Sequence, residues 1–364
     1  MENHETNLPA DLPIDNTIDS AEEQRSSAIK FHGQTGEYFA IWIVNILLTI
    51  VTLGIYSAWA KVRTERYFKA NTEIDGHRLS YLGQPLQILK GRIIALLIFA
   101  GFAFISSLSP IASVGLVLLY FIIVPWILCK SIKFNMQMIG YRNIRFNFHG
   151  QYGRAFLVFM LYPILSMFTL YLAMPLALKK MDEFLYNNIS YGDKPLSSNL
   201  KTPSYYKASF GAIAIAIVIF AISILLLGLD MSSMANEDGQ MVLSVQLLFM
   251  ATYLAVFIIA GAFYTSIIRN HIYNNSEIEN IASFKSTVTL GSLMLLMCTN
   301  LLALIVTLGL ALPWVKIRSA QYYSQATEVA ILAGADDVIA DQSEGVSAIG
   351  DEISEAFDFD IAIT

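Results

Sequence analysis

Seven long apolar runs dominate the sequence, and none of them contains Asp, Glu, Lys, Arg or His. An α-helix needs about 20 apolar residues to cross the hydrocarbon core of a bilayer. Soluble domains carry about 25% charged residues, whereas this chain of 364 residues carries 14%, which excludes an ordinary globular enzyme. The pattern predicts an all-α, multi-pass integral membrane protein. The runs cover residues 38–60, 93–108, 111–129, 155–178, 208–229, 241–268 and 286–315.

The distribution of Lys and Arg favours a topology in which only four of these runs cross the membrane. Loops that flank spanning helices concentrate these residues on the cytoplasmic side. If all seven runs crossed, nine bases would lie on one side and fourteen on the other. If the first, fourth and seventh runs enter and leave by the same face, all 23 bases lie on one side. We therefore expect three re-entrant runs, two helical hairpins and two cytoplasmic termini, with seven full crossings as the alternative.

Re-entry requires a break in the helix, because 23 residues of straight helix would span about 35 Å. Gly and Pro weaken or kink helices, and all three runs contain such residues. The predicted breaks lie at Thr52-Leu53-Gly54 in the first run, at Pro163 and Pro175 in the fourth, and at Gly309 and Pro313 in the seventh.

The three broken runs also resemble one another in sequence, which indicates internal duplication. Residues 45–73 align without gaps on residues 300–328, with 13 of 29 positions identical. The motif Phe31-His32-Gly33-Gln34 recurs as Phe148-His149-Gly150-Gln151 before the fourth run. We expect each full unit to combine a broken run with a helical hairpin. The predicted units are residues 29–143, residues 144–280, and a third, truncated unit at residues 281–329.

Short stretches of alternating polarity before the first and fourth runs predict half-buried strands, and Asp75-Gly76 is typical of a β-hairpin turn. We expect these strands to form small pairs on the cytoplasmic side. His32 and His149 hold equivalent positions in the repeats, where metal ligation and simple hydrogen bonding are the two interpretations. The sequence offers no third ligand, so we favour hydrogen bonding and expect no metal or cofactor. Cys129 and Cys298 lie in apolar runs and predict no disulfide.

An aromatic residue and two cations follow the break in the first and seventh runs. Aromatic residues concentrate at the headgroup level of membranes, and Lys and Arg side chains extend from helix ends toward the same level. The favoured interpretation is an interfacial anchor, and a binding site for anionic lipid headgroups is the alternative. The residues are Trp59, Lys61 and Arg63 in the first run, and Trp314, Lys316 and Arg318 in the seventh.

A stripe of polar residues is the main candidate for a solute path. Asn45, Thr49 and Thr52 are spaced i, i+4, i+7 and therefore share one helix face, and Asn300 and Thr307 repeat the outer two positions. Such residues also join membrane helices by hydrogen bonds, which is the alternative role. Because the known nucleotide-binding and catalytic motifs are absent, we expect no enzymatic activity. We also expect no nucleic-acid partner.

Both ends of the chain are acidic, whereas residues 31–318 carry a net charge of +9. Residues 1–28 predict a disordered tail and contain no apolar segment of a secretory signal peptide. Residues 330–364 alternate acidic and apolar side chains. This pattern predicts a tail that docks onto the protein's own basic face, with a fully solvated tail as an equal alternative.

Several of these motifs together resemble the YjgN family of bacterial inner-membrane proteins. The resemblance rests on Phe31-x-Gly33-x-x-Gly36, on Thr52-Leu53-Gly54-Ile55-Tyr56-x-x-Trp59-Ala60-Lys61-Val62-Arg63, on Asp75-Gly76 and on Gly350-Asp351-Glu352. It covers nearly the whole chain from about residue 28 onward. It implies a multi-pass inner-membrane protein of unknown function, with no established substrate, cofactor or catalytic residue.

Two classes of function are compatible with the sequence. The first is a transporter or channel for a small solute, since duplicated units with broken helices occur in transporters. The second is a non-catalytic scaffold whose basic face binds anionic lipid or a protein partner. We favour transport because two runs share the polar stripe, which an anchor does not need. The lipid bilayer is the expected partner in either case.

Overall fold

The computed structural model describes residues 25–226 and 242–332, together with residues 334 and 338. Eleven α-helices lie in these ranges, and a π-helical segment, Leu157–Leu161, joins the fifth helix to the sixth. The helices are α1 (Thr35–Val51), α2 (Ser57–Ala70), α3 (Pro85–Leu108), α4 (Pro110–Gln137), α5 (Tyr152–Phe156), α6 (Tyr162–Phe168), α7 (Met174–Tyr186), α8 (Thr202–Leu226), α9 (Leu243–Tyr273), α10 (Leu290–Val306) and α11 (Leu312–Gln325).

Four helices of the described ranges, α3, α4, α8 and α9, are long and apolar enough to cross a membrane. They correspond to the second, third, fifth and sixth apolar runs. Helices α3 and α4 pack together, as do α8 and α9, which agrees with two helical hairpins. The acidic connection between α8 and α9 lies outside the described residues.

The first, fourth and seventh runs are each interrupted by a short turn instead of forming one long helix. The turns cover residues 52–56, 169–173 and 307–311. The first and third lie where the sequence predicts them, at Gly54 and Gly309, which have φ of +92° and +87°. In the fourth run the prediction was wrong, because the turn lies between the two predicted prolines: Pro163 lies in the first turn of α6 and Pro175 in the first turn of α7.

The three turns use the same hydrogen bonds. In the first, the amide of Gly54 donates to the carbonyl of Thr49 at 2.7 Å, and the amide of Leu53 donates to Ile50. This is the Schellman pattern, which satisfies the last carbonyls of a helix. The Thr52 hydroxyl donates to the Leu48 carbonyl and accepts the amide of Tyr56, and so bridges the two helices. Thr307 repeats this pattern in the third turn, and Thr169 does so in the second except that its hydroxyl donates to the carbonyl of Ser166, three residues back.

Each interrupted run folds back on itself, so that its two ends lie together. In the first run, the ring of Tyr38 near the start of α1 stacks on that of Tyr67 near the end of α2, with centroids 5.4 Å apart. In the last run, the hydroxyls of Ser292 and Tyr322 lie 2.7 Å apart. The turns themselves are apolar and highly exposed: the accessible fraction of the surface is 94% for Leu53 and 93% for Leu308.

Strands separate the helix pairs and join into one antiparallel sheet. Its order is β1-β12-β11-β10-β9-β8-β7-β6-β5, and β2, β3 and β4 form a second, three-stranded sheet. The strands are β1 (Arg25–Ala28), β2 (Lys30–Phe31), β3 (Thr72–Ile74), β4 (His77–Arg78), β5 (Ser80–Tyr81), β6 (Ile139–Tyr141), β7 (Ile144–Phe148), β8 (Ile189–Tyr191), β9 (Lys194–Ser198), β10 (Ser276–Ile278), β11 (Ala282–Ser286) and β12 (Thr327–Ile331).

This sheet corrects the prediction of an all-α protein with small strand pairs. The predicted strands near Phe31 and Phe148 exist, and Asp75-Gly76 forms the turn between β3 and β4. However, nine strands pair in one continuous sheet, because β5 to β12 pair in sequence order and β1 then pairs with β12. Strand β1 also occupies the last four residues of the segment predicted as a disordered tail.

The helices pack in sequence order, and α11 closes the series by packing on α1. Separate apolar clusters hold neighbouring elements together. One cluster joins α2, α3 and α4 through Ala58, Val62, Ile88 and Phe134. Another, centred on Tyr191, Ile278 and Val329, lies on the sheet itself. The structure therefore has a layer of helix pairs whose ends are fixed to the sheet.

The helix breaks make a prediction about stability. A Cβ at Gly54 would meet no atom within 4 Å, so Gly54→Ala is penalised only by the positive φ, which costs about 1 kcal/mol in an L-residue. We expect the free energy of unfolding, measured by thermal denaturation in detergent, to fall by about that amount. Gly36→Ala is the matched control, because Gly36 lies inside α1 in open space. Equal stability of the two variants would contradict the left-handed turn.

Candidate functional site

In the structure, the residues of the predicted polar stripe form hydrogen bonds within the broken helices and between their two halves. The hydroxyl of Thr49 donates to the carbonyl of Asn45 at 2.6 Å, and those of Thr52 and Thr307 bridge their own helix ends. Asn45 is buried, and its amide donates to the carbonyl of Ala60 on the returning helix. These contacts match the alternative role of joining helices, and a role in a solute path stays a prediction.

Asn300 contacts one of the predicted interfacial cations. Its amide nitrogen donates to the Ser319 hydroxyl at 3.1 Å, and its oxygen accepts from Arg318 at 3.2 Å. The same guanidinium donates to the Thr299 hydroxyl and lies 5.0 Å from the ring centroid of Trp314. Arg318 therefore joins α10 to α11, and the structure brings together residues that the sequence assigns to two different sites.

The other predicted interfacial residues are placed differently in the two runs. Trp59 is half-buried and stacks on Tyr56, with ring centroids 6.2 Å apart. Trp314 and Lys316 are exposed, as is Arg63. Lys61 is half-buried and has an interaction partner. Only the seventh run thus presents its tryptophan and lysine together on the surface.

Each of the two candidate histidines has a protein partner of its own. His32 Nε2 lies 2.9 Å from Glu73, and His149 Nε2 lies 2.9 Å from the Ser190 hydroxyl. These contacts correspond to the favoured hydrogen-bonding interpretation. Within the described ranges, no group of three or more His, Cys, Asp or Glu side chains has a geometry suited to a metal ion.

A cavity of about 390 Å³ lies between α7, α9 and α11, and the sequence analysis did not identify it. Ligand pockets usually enclose about 300–1,000 Å³, so its size suits a small molecule. Thirteen residues line it, most of them apolar or aromatic, and only two of them are charged. These are Asp182 on α7 and Arg269 on α9. The lining also includes four tyrosines, Tyr186, Tyr264, Tyr273 and Tyr323.

Asp182 is a carboxyl group held in a largely dehydrated position. Its Oδ2 atom accepts a hydrogen bond from the Tyr205 hydroxyl at 2.5 Å. Burial disfavours the charged form and raises the pKa of Asp182 from its ordinary 3.8 to about 6, although the bond from Tyr205 opposes this shift. Strong upward shifts of this kind cluster at functional sites. The side chain can therefore change its charge near neutral pH.

Arg269 supplies the positive charge of the cavity. Its guanidinium lies between two tyrosine rings, 4.4 Å from the centroid of Tyr273 and 4.5 Å from that of Tyr323. Its Nη2 atom donates to the Thr327 hydroxyl at 3.2 Å on β12. Stacking on aromatic faces is a favourable arrangement for arginine. The cation is therefore fixed in place by α9, α11 and the sheet.

Residue spacing was the only signal of this cavity in the sequence. Asp182 and Tyr186 are separated by four positions, as are Arg269 and Tyr273, and each pair therefore shares one helix face. The two helices belong to different predicted runs, and nothing local in the sequence indicates that they face one another.

The fold and the site together define a class: a membrane protein with four apolar helices of spanning length, three broken helices and an antiparallel sheet. Residues 26–356 match the family described as bacterial protein of unknown function, DUF898, and the chain belongs to that family. The predicted resemblance to YjgN is confirmed by its relatives.

Two of these relatives are both named inner membrane protein YjgN. The one from Salmonella typhimurium (strain LT2) is 23% identical over 363 residues, which cover 86% of this chain and 91% of the relative. The one from Escherichia coli K12 is 25% identical over 366 residues, which cover 86% of this chain and 90% of the relative. No solved structure matches the chain significantly.

The raised pKa of Asp182 predicts a pH dependence of stability. A carboxyl whose pKa is higher in the folded state than in the unfolded state binds more protons when folded, so its contribution is most favourable below about pH 4 and is lost as the pH rises through about 6. The shift from 3.8 to about 6 corresponds to about 3 kcal/mol. We expect Asp182→Asn to become progressively more stable than the wild type over this range.

Thermal unfolding of the two proteins between pH 4 and 7 measures this difference. Other titrating groups, including Glu183 and His271, are common to both proteins and cancel in the comparison. A difference in stability that does not change with pH would contradict the assigned state of Asp182.

Proposed function

We propose that this protein is a transporter of the bacterial inner membrane that binds a small solute in the cavity between α7, α9 and α11. The observation that carries the proposal is the pair of opposite charges, Asp182 and Arg269, on the walls of one small cavity. Asp182 follows the fourth apolar run and Arg269 follows the sixth, and ligand sites typically combine an apolar lining with a few such polar or charged groups. The proposal assigns no chemical reaction to the protein.

The broken helices support the same proposal. Broken helices in duplicated units occur in transporter folds, and α7 and α11, the second helices of two broken runs, line the cavity. The three turns here share a threonine-centred hydrogen-bond pattern, which also supports an origin by duplication of one unit. The predicted units, residues 29–143, 144–280 and 281–329, each contain one of these turns.

For the topology, we propose that only α3, α4, α8 and α9 cross the membrane and that the broken runs enter from the cytoplasmic side. Three observations support this orientation. Strands flank all five helix pairs, strand β1 pairs with β12, and this topology puts all 23 bases on one side of the membrane. Both termini are then cytoplasmic. The names of the YjgN relatives support the inner membrane as the location.

A second candidate is a non-catalytic scaffold that binds anionic lipid. The observation in its favour is the exposed pair Trp314 and Lys316, which follows an apolar turn. An aromatic ring beside a cation suits the headgroup region of a membrane. In this case the cavity would be a packing feature with no access from the periplasm.

Thiol labelling separates the two candidates. With Cys129 and Cys298 replaced by alanine, a single cysteine is introduced at Thr265, which lines the cavity. Transport predicts that a charged, membrane-impermeant reagent reaches it in both right-side-out and inside-out vesicles. Labelling in neither preparation, or only from the cytoplasmic face, contradicts transport and favours the scaffold.

Two controls calibrate this measurement. A cysteine at Gln325, an exposed residue near the sheet, should react only in inside-out vesicles if the proposed orientation is correct. A cysteine at Leu225, which is 71% exposed on the apolar surface of α8, should lie in lipid and react in neither. Reaction at Gln325 only in right-side-out vesicles would reverse the orientation.

A further inference from the structure

The charges of the cavity balance one another. Among its thirteen lining residues, Asp182 and Arg269 are the only charged ones, and they belong to different helices. A solute that carried only a positive charge would be attracted by Asp182 and repelled by Arg269, and the reverse holds for an anion. A solute that carries both charges can be attracted by both residues.

Asp182 has capacity for a positively charged group. Its Oδ2 atom accepts the bond from Tyr205, and its Oδ1 atom has no hydrogen-bond partner among the described residues. An ionised carboxylate accepts about four hydrogen bonds. Its raised pKa is the consequence of burial without a close cation. An ammonium group of a ligand would supply both the missing charge and the missing donors.

Arg269 is preorganised to receive a negatively charged group. Two tyrosine rings and Thr327 fix its position, so a ligand does not have to immobilise a flexible side chain. The planar guanidinium matches a carboxylate or phosphate oxygen pair better than an ammonium does. Tyrosine hydroxyls and rings around it provide further polar and apolar contact.

We infer that the cavity binds a small zwitterion, with its cationic group at Asp182 and its anionic group at Arg269. This inference rests on the proposed function, since it names the class of solute that the same cavity takes. A cavity of about 390 Å³ accommodates molecules of the size of an α-amino acid, and phenylalanine is a suitable probe because five of the lining residues are aromatic.

The test measures protection of a cysteine at Thr265 from the charged thiol reagent by added ligand. Three probes are compared at equal concentrations: phenylalanine, its amide, which is only cationic, and its N-acetyl derivative, which is only anionic. We expect phenylalanine to protect at a concentration about tenfold or more below that of either derivative, because each lost charged hydrogen bond weakens binding by about that factor or more. Equal protection by all three probes would overturn the inference.

Variants of Asp182 provide a second test with the same protection experiment. Asp182→Asn should weaken protection by phenylalanine about tenfold, and Asp182→Glu should restore part of it because the charge is kept. Glu183→Gln is the matched control, since Glu183 lies on the same helix but pairs with Lys179 and Lys180 outside the cavity. Unchanged protection in the Asp182→Asn variant would contradict the role of the carboxylate.

Failure of the inference and failure of transport give different results. If the cysteine at position 265 reacts from both faces but no probe protects it, transport stands and the zwitterion assignment is wrong. If the cysteine is unreactive from the periplasmic face while phenylalanine still protects it from the cytoplasmic face, the zwitterion assignment stands and transport is wrong.

Discussion

The backbone hydrogen bonds of the nine-stranded sheet are the constraint on which the rest of the structure depends. Strands of two to five residues precede and follow the helix pairs, and in this sheet β5 to β12 pair in sequence order. The strands that flank each of four helix pairs are neighbours in this sheet and bring the two ends of the pair together, and β2 and β3 of the three-stranded sheet do the same for α1 and α2. Strand β1 closes the arrangement by pairing with β12, so residues near both ends of the described chain meet.

Given that constraint, the broken helices follow from simple geometry. A run of about 23 residues is long enough to cross the bilayer as one helix, yet it must return to the strand next to its starting point. A Schellman turn followed by a second helix satisfies both conditions, and the threonine at the turn supplies the hydrogen bonds that the interruption would otherwise lose. Leu53, Leu170 and Leu308 all adopt positive φ at these turns, a conformation that costs about 1 kcal/mol or more in such residues. Each of the three tips therefore exposes a leucine in the left-handed conformation.

The extent to which the sequence predicted the structure depended on how local each signal was. Gly54, Gly309 and the uncharged runs are local features, so the runs and two of the breaks were predicted at the right positions. The sheet was underestimated because its strands are very short and pair with segments far away, such as Arg25 with Ile331. The same reason explains why the cavity was missed: Asp182 and Arg269 are 87 positions apart in sequence and are brought to one cavity only by the tertiary fold. The residues predicted instead, Asn45 and Asn300, contact the returning helix of their own pair.

The central claim is that each broken run begins and ends on the same side of the membrane, and the first run tests it most directly. Glu37 near its start and Ala70 at its end are both exposed, and each can be replaced singly by cysteine in the cysteine-free protein. Labelling with an impermeant maleimide in intact spheroplasts and in inside-out vesicles then reports the side on which each residue lies. The proposed topology predicts that both cysteines react in inside-out vesicles and that neither reacts in spheroplasts. Reaction of the two cysteines from opposite sides would show a full crossing and contradict the account.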